Sequence, residues 1–221
     1  MKRVLIASMM TATLAGCGGR RAAPATVPAP SASPPVTGAT TAPADWRRVA
    51  TLADRDRLRK WRSAWLDALT RARASGAGDA ISAQGALLLP DVRLGDPLPP
   101  PGSYRCRVFK LGGKAAGMRD FTAYPPFACR IERDGAVLRF EKITGSQRPV
   151  GRIFPDPAGR PVFLGTLMLG DETRPIAYGR DGGRDMAGFV DRVGERRWRL
   201  ILPLPAFESL LDVIELVPAS S

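Results

Sequence analysis

The chain has 221 residues and a formal net charge of +12, with 33 basic against 21 acidic side chains. It contains no histidine and no asparagine, which excludes Ser-His-Asp and Cys-His catalysis, HExxH zinc sites and any histidine-ligated metal. Its three cysteines and dispersed arginines leave the expected cofactor and metal sets at none.

The N-terminus reads as an address. Lys2 and Arg3 precede an apolar run from Val4 to about Thr13, too short to span a bilayer, which takes about 20 apolar residues. Leu14-Ala15-Gly16-Cys17 then forms a small-residue processing site ending in cysteine. This pattern predicts residues 1–16 as a lipoprotein signal peptide and Cys17 as the lipidated residue, anchored by more than one acyl chain. Residues 17–44 are the expected tether. Pro24, Pro28, Pro30, Pro34, Pro35 and Pro43 stiffen it, and no large apolar residue repays the entropy of folding it. Gly18, by resemblance to other lipoproteins, favours the outer membrane of a Gram-negative cell, facing the periplasm.

One globular domain is expected over 45–221, helical across 51–88 and β-rich across 103–218. Thr51-Leu52-Ala53-Asp54 resembles a capping box opening a helix that ends near Gly76. Leu58, Trp61, Trp65, Ala68, Leu69 and Ala72 recur at spacings of three and four and form its apolar stripe. The stripe either packs on a core or offers Trp61 and Trp65 as a ligand platform, and the packing face is the commoner case. A short second helix is expected from Asp79 to about Gly85, and a Pro/Gly-rich loop over 90–103.

From Tyr104 onward, short alternating or apolar runs are separated by turn residues. Strands are predicted at Tyr104–Leu111, Thr122–Tyr124, Phe127–Glu132, Val137–Ile143, Val150–Phe154, Val162–Leu169, Ile176–Tyr178, Met186–Val193, Trp198–Leu202 and Leu211–Val217. Arg133-Asp134-Gly135 is a hairpin signal. The spacing predicts an antiparallel barrel or sandwich. The fold class is therefore α+β: an N-terminal amphipathic helix packed on a predominantly antiparallel β-barrel or strongly curved sheet of about eight to ten short strands. Cys106 and Cys129 fall in alternating runs, and in an oxidising compartment a disulfide is the expected state. It closes a loop of about 20 residues, for which loop entropy gives about 3 kcal/mol.

Ala53-Asp54-Arg55-Asp56-Arg57-Leu58, Tyr104-Arg105-Cys106-Arg107-Val108, Thr144-Gly145-Ser146-Gln147-Arg148-Pro149, Tyr178-Gly179-Arg180-Asp181, Arg184-Asp185-Met186-Ala187-Gly188, Trp198-Arg199-Leu200 and Glu208-Ser209-Leu210-Leu211-Asp212-Val213-Ile214-Glu215-Leu216 resemble a bacterial envelope family, domain of unknown function 4893. The resemblance covers nearly all of the expected domain and implies a signal peptide but no activity. The strand-rich half is also similar to lipocalin-type barrels, an analogy of fold that licenses no ligand by itself.

Two polar clusters stand out. In Gly145-Ser146-Gln147-Arg148-Pro149, Arg148 has the fork that suits a carboxylate or phosphate, or else it bonds internally within a turn. Arg180, Asp181, Arg184 and Asp185 form the second cluster, in a glycine-rich loop after Tyr178. The candidate ligand site is thus Ser146, Gln147, Arg148, Tyr178, Arg180, Arg184 and Asp185. Paired carboxylates for glycan hydrolysis would come from Asp181, Asp185, Glu208, Asp212 and Glu215. Glu208 and Asp212 share a face if 206–212 is helical.

Three readings follow. The first is a non-enzymatic binding or accessory lipoprotein, with an apolar or anionic envelope ligand or an envelope protein partner, and its membrane contact made through the lipid anchor. The second is a carboxylate-dependent hydrolase of peptidoglycan or other envelope glycan. The third is an inhibitor or scaffold with one dominant partner. The basic charge reads first as a solvated surface, and nucleic acid is not an expected partner outside the cytoplasm.

Overall fold

Apolar residues at every second position from Tyr104 onward commit one face of each strand to a core, and the chain satisfies them by closing a barrel. The computed structural model describes residues 44–219 apart from Ala158; the predicted signal peptide, Cys17 and the tether through Pro43 lie outside the described residues.

Among the described residues nine strands follow in order: β1 (Gly102–Gly113), β2 (Phe121–Ala123), β3 (Phe127–Asp134), β4 (Val137–Lys142), β5 (Gln147–Phe154), β6 (Val162–Leu169), β7 (Asp185–Gly194), β8 (Arg197–Pro203) and β9 (Ser209–Pro218). All pairings are antiparallel. β3 to β9 pair in sequence order, and β1 joins β3 through its first half and β9 along nearly its whole length, from Tyr104↔Pro218 to Gly113↔Ser209. Eight strands thus close the barrel, and β2 extends it beside the second half of β1. A closed barrel leaves its own strands no long free edge.

The period-two pattern sorts side chains as the sequence predicts. Cys106, Ile131, Phe140, Ile153, Phe163, Val190, Leu200 and Ile214 fill the interior. The disulfide Cys106–Cys129 is present, joining β1 to β3 within this core, with Cα atoms 6.0 Å apart. Gly151 and Gly165 face each other across β5 and β6. A Cβ on Gly165 would lie 2.4 Å from the Val150 carbonyl oxygen and 2.5 Å from the Phe163 ring, so no side chain fits between these strands and the ring that crosses them.

The helices cover part of the outer wall. Asp45 caps α1 (Trp46–Val49), a turn of helix the sequence reading leaves out. Thr51 caps α2 (Leu52–Arg59), its Oγ1 accepting from the Asp54 N–H at 3.1 Å. The single helix expected from Thr51 to Gly76 is divided at Lys60, and α3 (Trp61–Ala72) follows. The reason is the curvature of the wall: α2 lies on β7, while α3 lies on β1, β8 and β9. The break lets one apolar stripe follow two directions. Trp65 is fully buried with Phe109, Ile201, Leu211 and Val213, which makes it a packing residue. At about 25 cal/mol per Å² its burial contributes about 4 kcal/mol or more. Gly76, at φ +86, ends a widened turn. α4 (Gly78–Ser82) and a 3₁₀ turn (Gly85–Leu88) take the place of the expected second helix.

The run Ile176–Tyr178 is not a strand. Its tyrosine is drawn to the start of α2, where the hydroxyl donates to Asp54 Oδ2 at 2.6 Å and accepts from the Thr51 N–H at 3.1 Å. Residues 206–212 are not helical either, because β9 starts at Ser209.

Candidate ligand pocket at the barrel mouth

Inward-facing positions near one end of the barrel change from apolar to polar. On β1 the interior series Tyr104, Cys106, Val108 continues to Lys110, and on β4 Leu138 and Phe140 continue to Lys142. Gln147 opens β5 and Asp212 lies near the start of β9, so strand direction brings all four to the same mouth. They border a cavity of about 300 Å³ whose apolar wall includes Val108, Phe127, Leu167, Met186 and Ile214.

Two lysines sit there in opposite electrostatic settings. Lys110 and Asp212 are direct partners in the β1–β9 register, and their charged groups meet at 3.0 Å. Glu208 reaches the same ammonium at 3.1 Å and also accepts from Gln147 Nε2 at 3.0 Å. Burial pulls Lys110 down, but Asp212 and Glu208 outweigh it and its pKa is raised. Burial pushes the Asp212 carboxyl up, against the pull of Lys110 and a hydrogen bond from Ser209 Oγ. Glu208 holds a left-handed backbone at φ +67, a strained conformation for a residue with a Cβ, and it does so at the cavity rim.

Lys142 has no such carboxylate among the described residues. Its Nζ donates to the carbonyls of Thr144 and Gln147 at 2.6 and 2.9 Å and lies 3.6 Å from the centroid of the Phe127 ring. Burial, then the positive charges of Arg148 and Lys110, push it down to about 8. Gly145 makes this seat possible: at φ +90, a Cβ there would stand 2.7 Å from Nζ and 2.9 Å from the Phe127 ring.

The mouth brings together four of the seven predicted site residues. Ser146 is exposed on its rim and Gln147 lines it. Arg184 also lines it, tied to the Glu172 carboxylate at 2.7 and 2.8 Å. Asp185 accepts from the Gly179 N–H at 2.9 Å, and burial raises its pKa. The other three lie elsewhere. Arg148 donates to the carbonyls of Gly145, Gly170 and Glu172 at 3.3, 2.8 and 2.6 Å, so its fork is spent on loop backbone. Tyr178 belongs to the Asp54 network and lines a second hollow, of about 360 Å³, on the outer wall beside Leu164 and Thr166. Arg180 is exposed in its turn.

Of the carboxylates considered for hydrolysis, Asp185, Glu208 and Asp212 line the same cavity, whereas Asp181 and Glu215 do not. Glu215 faces outward and pairs with Arg197 at 2.6 Å, while Glu208 and Asp212 converge on Lys110. Sequence reasoning missed Lys110 and Lys142. The available signal was a lysine interrupting the apolar half of an alternating strand, twice, in a chain whose cations are nearly all arginine.

No curated protein and no solved structure matches the chain. A family model described as a domain of unknown function, DUF4893, matches residues 46–216, from α1 into the last barrel strand. That span includes the mouth with both its lysines, and the chain belongs to the DUF4893 family.

Proposed function

We propose that this protein is a non-enzymatic binding module of the bacterial envelope, lipid-anchored at Cys17 and facing the periplasm from the outer membrane, that takes a small amphipathic ligand into the barrel mouth. The observation that carries the binding reading is the cavity of about 300 Å³, apolar along its wall and polar at Lys110, Lys142 and Gln147. This combination of apolar lining and a few placed polar groups is what small-molecule sites use, at the lower end of their usual size range. The volume favours a single short chain over a two-chain lipid. Support for the envelope comes from the Leu14-Ala15-Gly16-Cys17 pattern and from a disulfide, which persists in oxidising compartments.

Native mass spectrometry of protein purified from its own host tests both parts. The expected result is a diacylglyceryl-modified Cys17 and a reproducibly bound small molecule, lost when Leu167→Trp fills the mouth. An unmodified cysteine refutes the anchor. Failure of the protein to bind the neutral apolar probe N-phenyl-1-naphthylamine, together with an empty native spectrum, refutes the binding module.

A further inference from the structure

We propose that the ligand of the mouth is a single-chain amphiphile with an anionic headgroup, a carboxylate or a phosphate monoester, and that Lys142 is the residue that receives it. This rests on the binding reading above and specifies its ligand class.

Three observations converge. First, Lys142 is only 3% exposed, yet it lines the cavity. Its partners are two carbonyls and a ring face, none of which neutralises a charge. A buried ammonium without a counter-charge is unfavourable, and an arriving anion relieves that. Second, the acids around the mouth are engaged elsewhere: Glu208 and Asp212 with Lys110, Glu172 with Arg184, and Asp185 with the Gly179 N–H. Of the three cations lining the mouth, Lys110 is paired with Glu208 and Asp212 and Arg184 with Glu172, which leaves Lys142 as the one without a carboxylate partner among the described residues. Third, Gly145 keeps the adjoining turn bare where any side chain would collide with Nζ. The chain of the ligand would lie along Val108, Leu167, Met186 and Ile214, which continue into the barrel core.

The competing role for Lys142 is purely structural, as a cap on the 144–147 turn. Ligand selectivity separates the two. Octanoate, octyl phosphate and 1-octanol are compared at pH 7 by displacement of N-phenyl-1-naphthylamine from the purified protein. Both anions should bind about tenfold or more tightly than the alcohol, the value of one charge-assisted hydrogen bond. In Lys142→Met that preference should shrink to within about twofold, and in Lys142→Arg it should persist. Equal affinities for anions and alcohol in the wild type, or a preference that survives Lys142→Met, overturn the proposal. If the probe binds without any preference for anions, the binding module stands and this inference fails. If the probe does not bind and the native spectrum is empty, both fail. A readout without a variant is the NMR signal of the Lys142 ε-methylene in the wild-type protein. Octanoate should move its titration to higher pH and 1-octanol should not; an unmoved titration with octanoate bound refutes contact with the ammonium.

Discussion

Replacing Arg199 with methionine should destabilise the fold more than any exposed substitution on the barrel. Arg199 is fully buried on the outer face of β8, beneath the loop that follows the helices. Its Nε and Nη2 both reach Asp191 Oδ2, at 3.1 and 3.0 Å. Nη1 donates to the carbonyls of Ala86, Leu87 and Leu89 at 3.0, 2.9 and 2.8 Å, and Nη2 to those of Pro90 and Val92 at 3.2 and 2.8 Å. The guanidinium also lies 4.7 Å from the Trp65 ring centroid. One side chain therefore gathers a segment with little regular structure. Methionine keeps much of the volume but takes a donor from five carbonyls, of which Ala86 and Leu89 keep a backbone N–H at 3.3 and 3.4 Å, and half-strips Asp191, which retains Arg160 at 3.0 and 3.1 Å. Breaking a buried pair in this way costs about 3–5 kcal/mol, and the surviving Arg160 contact favours the lower end. In a domain of this size that lowers Tm by roughly 10 °C. Urea unfolding of wild type and variant, with the disulfide intact, measures the loss, and hydrogen exchange should show residues 85–92 losing protection. A loss below about 1 kcal/mol with those amides still protected would refute the claim that Arg199 organises this loop. Arg199→Lys should recover little, because a point ammonium cannot serve the same fan of acceptors.

Reducing Cys106–Cys129 should cost about 3 kcal/mol, read as a lower urea midpoint under dithiothreitol, since the bridge closes a loop across a sequence separation of 23; an unchanged midpoint contradicts this. Gly165→Ala should lose about 1–3 kcal/mol or more through overpacking against Phe163 and the Val150 carbonyl, measured in the same way. Lys142 should titrate near 8 by NMR, well below an ordinary lysine, with Phe127, the Thr144 and Gln147 carbonyls, Arg148 and Lys110 around it and Glu208 and Asp212 already held by Lys110. Because its folded-state value lies below the unfolded one, the unfolded chain binds the extra proton between about pH 8 and 10.5, so this group weakens the fold fully below pH 8 and its penalty fades as pH rises across that window. Denaturation of wild type and Lys142→Met at pH 7 and pH 10 checks the sign: the variant's relative stability should be higher at the lower pH.

The barrel was legible because its strands alternate cleanly and are punctuated by turns. Val162–Leu169, apolar on both faces, proved to have Phe163 and Leu167 inside and Val162 and Leu164 packed under the first helices. Ile176–Tyr178 carries the same local signal but forms no strand, and its tyrosine hydroxyl instead bonds Asp54 and Thr51 at the start of the second helix. Local pattern cannot register a partner 124 residues away. The same limit hid the mouth. Lys110 pairs with Asp212 across 102 residues, and Lys142 becomes unusual only once closure has turned its strand face inward. For Arg148 the sequence offered an anion fork or an arginine bonded within its own turn, and the guanidinium takes the second course, donating to the loop's own carbonyls.

The central claim is that ligand enters the barrel mouth, and the most direct test is an intermolecular NOE experiment with methyl-labelled protein and octanoate. The account predicts cross-peaks from the ligand chain to methyls of Val108, Leu167, Met186 and Ile214. Cross-peaks confined to Val150, Leu164 and Ile176 on the outer wall, or to no methyl at all with ligand in excess, would contradict it.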